Sequence, residues 1–64
     1  MRYETLFYYP EENIFVDELG NIVHDIYRYV PPYFLYLFRD KREYMVYKSN
    51  DIYVEIHYVD EYDY

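Results

Sequence analysis

The stretch EYMVYKSNDIYVEIHYV, residues 43–59, predicts a β-hairpin around which the rest of the chain is arranged. At its centre, Ser49-Asn50-Asp51 favours a turn, because Asn and Asp tolerate positive φ and hydrogen-bond to their own backbone. The run after this turn alternates two sets of side chains, which is the period of a strand with one buried face. One set is Ile52, Val54, Ile56 and Tyr58, and the other is Tyr53, Glu55, His57 and Val59.

Three further segments are predicted to be strands. Residues 2–9 (RYETLFYY) form a β-rich run that ends at Pro10, and residues 13–17 (NIFVD) return as a short strand after a turn. Residues 33–39 (YFLYLFR) are apolar on both faces, so we expect them to form the central strand, covered on two sides. The residues expected to be buried together are Leu35, Leu37, Ile52, Val54 and Ile56.

Residues 22–30 allow two interpretations. Their apolar positions follow the spacing of one helical face, with Asn21 as a cap and Pro31-Pro32 as the end. The same positions are mostly β-branched or aromatic, which favours a strand. The predicted fold is all-β: a small antiparallel meander of five or six strands, partly closed as a barrel or roll. The alternative is an α+β fold in which a helix at residues 22–30 packs on an antiparallel sheet.

The chain has 64 residues, enough for one small domain, which we place at residues 1–59 and follow with an acidic tail at 60–64. A domain of this size keeps a surplus of only about 3–5 kcal/mol after the cost of ordering the chain. Because there is no Cys, disulfides and thiolate zinc sites cannot add to that surplus. Association is the favoured remaining source of stability, so we expect a homo-oligomer, with a homodimer as the working hypothesis.

The composition combines 13 Tyr and 4 Phe with a formal net charge of −7. That charge argues against a general nucleic-acid binder and against an anionic membrane surface, since both are bound mainly through Lys and Arg. It favours a protein partner with a basic surface. The chain has no apolar run long enough to span a bilayer and no evident secretory signal, so we expect a cytoplasmic protein.

The residues that usually carry catalysis form no known pattern here. His24, Asp25, Glu55 and His57 suit metal or acid–base chemistry by type, but their spacing matches no motif. Ser49 is the only Ser, and it lies in a turn without a base and an orienting group. The single Gly excludes a glycine-rich phosphate loop. The sequence therefore predicts a non-enzymatic protein with no catalytic residue, no metal site and no cofactor.

Two candidate binding sites follow from clusters in the sequence. The first joins acids at predicted turns to adjacent tyrosines and is expected to dock on a basic protein surface, as an inhibitor or accessory factor. Its residues are Tyr8, Tyr9, Glu11, Glu12, Asp17 and Glu18. The alternative is a single-stranded nucleic-acid patch of cations and stacking rings. Its residues are Tyr36, Arg39, Lys41, Arg42, Tyr44 and Tyr47.

The chain lacks both Cys and Gln, and its strands are rich in Tyr, Ile and Val, as in YVEIHYV and FYYP. In this composition it resembles the short proteins encoded by hyperthermophilic archaea and their viruses, which avoid labile residues. The resemblance implies a protein that binds a host factor, acting in the host cytoplasm if viral. It carries no motif, and so it assigns no site residue.

Overall fold

A computed structural model describes residues 1–60, which form one sheet with a single α-helix packed against it. The strands are β1 (Arg2–Tyr9), β2 (Ile14–Asp17), β3 (Ile22–Val23), β4 (Met45–Lys48) and β5 (Ile52–Tyr58). A 3₁₀ turn spans Ile26–Arg28, and the helix α1 spans Pro32–Lys41. Within this part of the chain no helix is long and apolar enough to cross a membrane. Of the predicted acidic tail, residues 61–64 lie outside the described residues.

The sheet is mixed and open, with the strand order β3-β2-β1-β5-β4. Its two central strands, β1 and β5, are parallel, and Leu6 lies opposite Ile56. All other neighbouring strands in the sheet are antiparallel. The segment containing α1 carries the chain from the β3 edge to the β4 edge. The fold is therefore α+β, and the prediction of an all-β meander closed as a barrel or roll is wrong.

Residues 33–39, predicted to be the central strand, belong to α1. Pro32 occupies the first turn of the helix, where the missing proline N–H costs no hydrogen bond, and Pro31 before it is extended. The helix ends at Arg42, whose φ of 57° is left-handed and whose N–H donates to the Phe38 carbonyl. The two prolines therefore begin a helix, whereas the sequence interpretation used them only as a break.

The apolar residues of α1 occupy two sides of the helix, which is why the segment resembles a strand covered on both faces. Phe34, Leu35 and Phe38 lie on the inner side and are buried against the sheet. Leu37 lies on the outer side and is 47% exposed, so the prediction that it is buried is wrong. Tyr33 and Tyr36 are also exposed on the outer side.

Residues 22–30 contain no α-helix, so the alternative prediction also placed its helix in the wrong segment. Ile22 pairs with Val16 at the edge of the sheet, as its β-branched side chain favours. The preceding turn is held by Asp17, whose Oδ1 accepts hydrogen bonds from the Leu19 and Asn21 N–H groups at 2.9 Å each. The rest of the segment forms only the short 3₁₀ turn.

The strands that were predicted from turn residues and from the alternation of neighbouring side chains are confirmed. Residues 2–9 form β1, residues 14–17 form β2, and β4 and β5 form the predicted hairpin. The hairpin turn is closed by a hydrogen bond of 3.0 Å from the Ser49 N–H to the Ile52 carbonyl. Asn13, in the β1–β2 turn, has a φ of 59°. Asn can take this left-handed conformation because its short polar side chain bonds locally.

One hydrophobic core lies between α1 and the sheet. Leu6, Val54 and Ile56 supply its sheet side and are fully buried, as is Phe38 from the helix. Buried Tyr8 packs between Phe15 and Phe38, with ring centroids 4.7 and 5.7 Å away. All core residues of the sheet project towards α1, so the alternate residues of the same strands project to the opposite side.

Candidate functional site: the open face of the sheet

The side of the sheet opposite α1 is covered by no other element among residues 1–60. We call its central part the aromatic face, because most of its side chains carry rings. It is built from alternate residues of the two central strands, from β4, and from the residue just before β4. Its members are Tyr3, Thr5, Phe7, Tyr53, Glu55, His57, Tyr44, Val46 and Lys48.

The strand register arranges the aromatic face in three rows that run across the strands. In the middle row, Thr5 of β1 and Val46 of β4 lie on either side of Glu55. The same strand pairing places the remaining members in two outer rows, one on each side of the middle row. The first outer row is Tyr3, Tyr53 and Lys48, and the second is Phe7, His57 and Tyr44.

The two outer rows are walls of contacting rings. In the first, the Tyr3 and Tyr53 centroids are 5.4 Å apart, and the Lys48 Nζ lies 6.0 Å from the centroid of Tyr53. In the second, His57 stacks on Phe7, with centroids 5.0 Å apart and an interplanar angle of 19°. Such contacts hold these rings, which are outside the core, in defined positions.

The middle row separates the two outer rows and carries no ring. Thr5 and Val46, which flank Glu55, are small beside the aromatic side chains of the outer rows. The outer rows start from positions four residues apart along β5, which is a separation of about 13 Å at the backbone. The aromatic face therefore has a single carboxylate at its centre, with rings on both sides along the strand direction.

Glu55 of the middle row interacts with His57 and Tyr44, the two titratable side chains of the second wall. Its Oε1 lies 3.7 Å from the His57 Nε2. Desolvation by its surroundings and then the negative charge of Glu55 raise the pKa of Tyr44 above its usual value. A side-chain hydrogen bond between Tyr44 and Glu55 acts in the same direction, and the Glu55 side chain is a third exposed.

Beyond the aromatic face, apolar residues continue across the sheet towards the β3 edge. Val16 of β2 lies opposite Phe7, and Ile22 of β3 lies opposite Val16. Ile22 is half-exposed. The open side is therefore mostly apolar and aromatic over its width, and the charged residues of the aromatic face are Glu55 in the middle row and Lys48 at the β4 edge.

The structure does not bring the predicted protein-binding residues onto one surface. Tyr8 is buried, and its hydroxyl group donates to Asn13 Oδ1 at 2.7 Å. Glu11 and Glu12 are exposed in the β1–β2 turn. Asp17 and Glu18 follow at the other end of β2, separated from the first pair by the length of that strand. Tyr9 is half-buried at the end of β1.

The predicted nucleic-acid patch is likewise divided among three surfaces. Arg39, Lys41 and Arg42 are exposed at the end of α1, and Tyr36 is exposed on its outer side. Tyr47 is half-buried on the core side, with its ring 5.3 Å from that of Phe34, whereas Tyr44 belongs to the aromatic face.

Members of both predicted sites meet at one cavity beside the end of α1, with a volume of about 350 Å³. Arg39 and Arg42 line it together with Tyr8 and Glu11. The guanidinium of Arg39 lies over the Tyr8 ring at 5.6 Å and bonds to Asn13 at 3.4 Å. Both arginines lie near the last carbonyls of α1, whose partial negative charge they complement. These contacts explain the positions of Arg39 and Arg42, and no bound ligand is needed to explain them.

The aromatic face is not predicted from the sequence, because its residues are distant along the chain. The alternation of β5 did indicate that Tyr53, Glu55 and His57 share one side of a strand. Nothing in the sequence indicated that β1 lies parallel to β5, which brings Tyr3 and Phe7 beside them.

No group of three or more metal-ligating side chains among residues 1–60 is arranged to hold a metal ion. His24 and Asp25 lie in the loop after β3, away from Glu55 and His57 in the sheet. No protein-family model, curated protein or solved structure matches this chain. The function of the chain must therefore be inferred from the geometry of the aromatic face.

Proposed function

We propose that the protein is a non-enzymatic protein-binding module whose aromatic face docks on a positively charged protein. The observation that carries this proposal is the open side of the sheet, which presents ordered rings around Glu55 and is covered by nothing in residues 1–60. Exposed apolar surface of this extent, rimmed by polar groups, is typical of protein interaction sites.

The open side can supply much of a standard protein interface. The central strands β1 and β5 have eight and seven residues, but β2 and β4 have four each and β3 has two. At about 3.3 Å per residue and about 4.8 Å per strand, the flat area is about 400 Å², and side-chain relief raises the accessible area. A standard interface buries about 800 Å² on each partner.

The residue types of the face suit the centre of such an interface. Tyrosine is enriched at interface hot spots, because a rigid ring supplies contact area at a small cost in side-chain entropy. Its hydroxyl group also keeps the free surface hydrated, so a face of tyrosines can remain exposed until a partner binds. Tyr3, at 72% exposure, is the most accessible ring of the face and the first to meet a partner.

Charge selects the class of partner. The net charge of −7 attracts a basic protein over long range and speeds their encounter. The same charge opposes a second copy of the chain, which would also carry −7, and it opposes single-stranded nucleic acid. Lys48 is the only Lys or Arg in the aromatic face, whereas stacking surfaces for nucleic acid combine rings with several cations.

The proposal is tested with two tyrosines of equal exposure on opposite sides of the domain. Tyr3 lies on the aromatic face and Tyr36 on the outer side of α1, and both are 72% exposed. Protein retained by the immobilised wild type from an extract of the organism that encodes it is purified and titrated by biolayer interferometry. We expect a basic partner whose Kd rises at least about tenfold with Tyr3→Ser and is unchanged with Tyr36→Ser.

Several results contradict the proposal. An acidic partner, or a partner sensitive to Tyr36→Ser and insensitive to Tyr3→Ser, places the binding surface elsewhere. Retention of nucleic acid alone assigns the face to the nucleic-acid class. A dimer in sedimentation velocity that dissociates with Tyr3→Ser makes a second copy the occupant, as the homodimer hypothesis holds.

A further inference from the structure

We infer that the free edge of β4 binds an extended segment of the partner protein, which joins the sheet as a sixth strand. The inference rests on the proposed function, because it names how the docked basic protein is held beside the aromatic face. It is carried by the strand order, which leaves β4 at one edge of the sheet, and by the direction of the backbone hydrogen-bonding groups of β4.

The β4–β5 hairpin fixes which backbone groups of β4 point away from the sheet. The Ser49 N–H donates to the Ile52 carbonyl, so these two residues form a hydrogen-bonded pair. Hydrogen-bonded and non-hydrogen-bonded pairs alternate along an antiparallel ladder. Val46 and Lys48 therefore occupy non-hydrogen-bonded positions in the register of β4 with β5. Their N–H and carbonyl groups point away from β5, towards the free edge.

No element among residues 1–60 occupies this edge. Within that range β4 pairs with β5 alone, and no backbone group of Val46 or Lys48 bonds to a loop or to the helix. Proteins usually protect an edge with a very short strand, a Pro, a bulge or a charged side chain. The β3 edge has only two residues, whereas β4 pairs over four residues without a Pro or a bulge. Its one charged side chain, Lys48, is turned back over the sheet, with Nζ 6.0 Å from the Tyr53 ring centroid.

The α1 side of this edge can receive apolar side chains. Met45 and Tyr47 are half-buried on that side, and the Tyr47 ring lies 5.3 Å from that of Phe34. Leu37 follows Phe34 by three residues, so it lies next to Phe34 on the flank of α1 that faces β4, and it is 47% exposed. Alternate side chains of an added strand would project to this side, where apolar groups gain burial beside Met45 and Tyr47.

An extended peptide is the ligand that matches the free edge. The outward groups of Val46 and Lys48 are two residues apart, which is also the repeat of the groups that another strand presents. A helix cannot match them, because its own backbone groups are bonded internally. Strand addition takes its affinity from these backbone bonds and its specificity from alternate side chains. We therefore expect a segment that is apolar at every second position and has no Pro at positions that pair with β4.

Charge and area favour a segment of the basic partner over a second copy of the chain. Two copies joined at β4 would bring together two chains of net charge −7 each. The aromatic face reaches the same edge, since Tyr44, Val46 and Lys48 belong to it. A strand bound there extends the docking surface, whose flat area of about 400 Å² is smaller than the roughly 800 Å² that a standard interface buries on each partner.

Hydrogen exchange measures the proposed pairing directly. Amide exchange of the ¹⁵N-labelled full chain is followed by NMR with and without a saturating amount of the purified basic partner. In the free chain the Val46 and Lys48 amides should exchange faster than that of Tyr47, which bonds to β5. We expect the partner to slow exchange at Val46 and Lys48 by at least about tenfold and to leave Ile22, at the β3 edge, unchanged. Unchanged exchange at Val46 and Lys48 overturns the inference.

The matched variants are Val46→Pro and Ile22→Pro, each of which removes an N–H that points away from the sheet. At Ile22 this direction follows because the Asp17 N–H donates to the Asn21 carbonyl, which makes the next pair non-hydrogen-bonded. A Pro is tolerated at edge positions of this kind. Val46→Ala shortens the same side chain as Val46→Pro but keeps the N–H.

We expect Val46→Pro to raise the Kd of the partner at least about tenfold in biolayer interferometry, because it removes a backbone bond and blocks the pairing beside it. Ile22→Pro and Val46→Ala should each change the Kd less than about threefold. If Val46→Pro has the same effect as either control, the inference is overturned. Far-ultraviolet circular dichroism of each variant shows whether it retains the fold before binding is compared.

The same measurements separate this inference from the proposed function. If Tyr3→Ser weakens the partner complex and Val46→Pro does not, the docking face stands and the added strand is wrong. If Val46→Pro weakens the complex and Tyr3→Ser does not, the β4 edge binds the partner and the docking face is wrong. If neither variant affects the complex, both are wrong. A dimer of the free chain that Val46→Pro dissociates would make a second copy the occupant and overturn the inference.

Discussion

Phe38 and Leu37 are adjacent in α1, and truncating them should have very different effects on stability. Phe38 is fully buried and lies at the centre of an aromatic cluster, with ring centroids 5.7 Å from Tyr8, 6.4 Å from Phe15 and 5.8 Å from Tyr58. Leu37 faces solvent and is 47% exposed. The pair therefore tests whether residues 33–39 are a helix with one buried side or a strand with two.

The expected magnitudes follow from burial. Replacing a buried Phe by Ala costs about 3–5 kcal/mol through lost transfer energy and the remaining cavity. The whole domain has about 3–10 kcal/mol of stability, at about 0.05–0.15 kcal/mol per residue. Phe38→Ala should therefore remove much or all of the cooperative transition. Leu37→Ala leaves no enclosed cavity and should cost about 1 kcal/mol or less.

The measurement is urea unfolding followed by circular dichroism, with wild type, Phe38→Ala and Leu37→Ala compared at one temperature. If Phe38→Ala is unfolded without urea, Phe38→Leu supplies a smaller loss that can still be measured. A central strand would bury Leu35 and Leu37 on a common side, so truncating Leu37 would then be as costly as truncating Phe38. That result would refute the helix and the core built on it.

Three other predictions follow from single contacts. Asn13→Ala should lower the free energy of unfolding by about 1–2 kcal/mol in urea, because it removes the acceptor of the Tyr8 hydroxyl group and strains a backbone φ of 59°. Asn13→Gly keeps this backbone conformation and should therefore cost less. Val54→Asp should abolish the folded circular dichroism spectrum, because it buries an unpaired carboxylate at a position with 0% exposure. The pKa of Tyr44 should lie above its usual value in ¹³C-tyrosine spectra and fall part of the way back with Glu55→Gln, because desolvation remains. Since this pKa is raised by folding, the Tyr44 contribution to stability should be present below about pH 10 and decline as pH rises through the folded pKa.

The elements that could be predicted from the sequence are those with local signals. The hairpin of β4 and β5 has turn residues between two β-rich runs, and the alternation of β5 correctly identifies Ile52, Val54 and Ile56 as buried. Residues 33–39 were wrongly assigned because an apolar run without a polar side has no clear period. The buried apolar residues of α1 follow a helical spacing, but exposed apolar residues such as Leu37 lie between them in the sequence. The helical pattern is therefore not visible in the sequence.

The candidate site depended on contacts that the sequence does not encode locally. The turn acids were grouped because they are near one another along the chain, but β2 separates Glu11 and Glu12 from Asp17 and Glu18. The aromatic face arises because Thr5 lies opposite Glu55 in a parallel pair. Parallel pairing joins distant segments, and its register follows from the packing of the whole domain.

The most direct test of the account is an NMR footprint of the partner on the ¹⁵N-labelled chain. Purified partner is added to saturation, and the change at each assigned amide is mapped onto the two sides of the sheet. We expect the largest changes on the central strands and β4 at positions of the aromatic face, including Tyr3, Glu55 and Val46, with little change at Tyr36 on α1. A footprint centred on the outer side of α1, with the aromatic face unchanged, would contradict it.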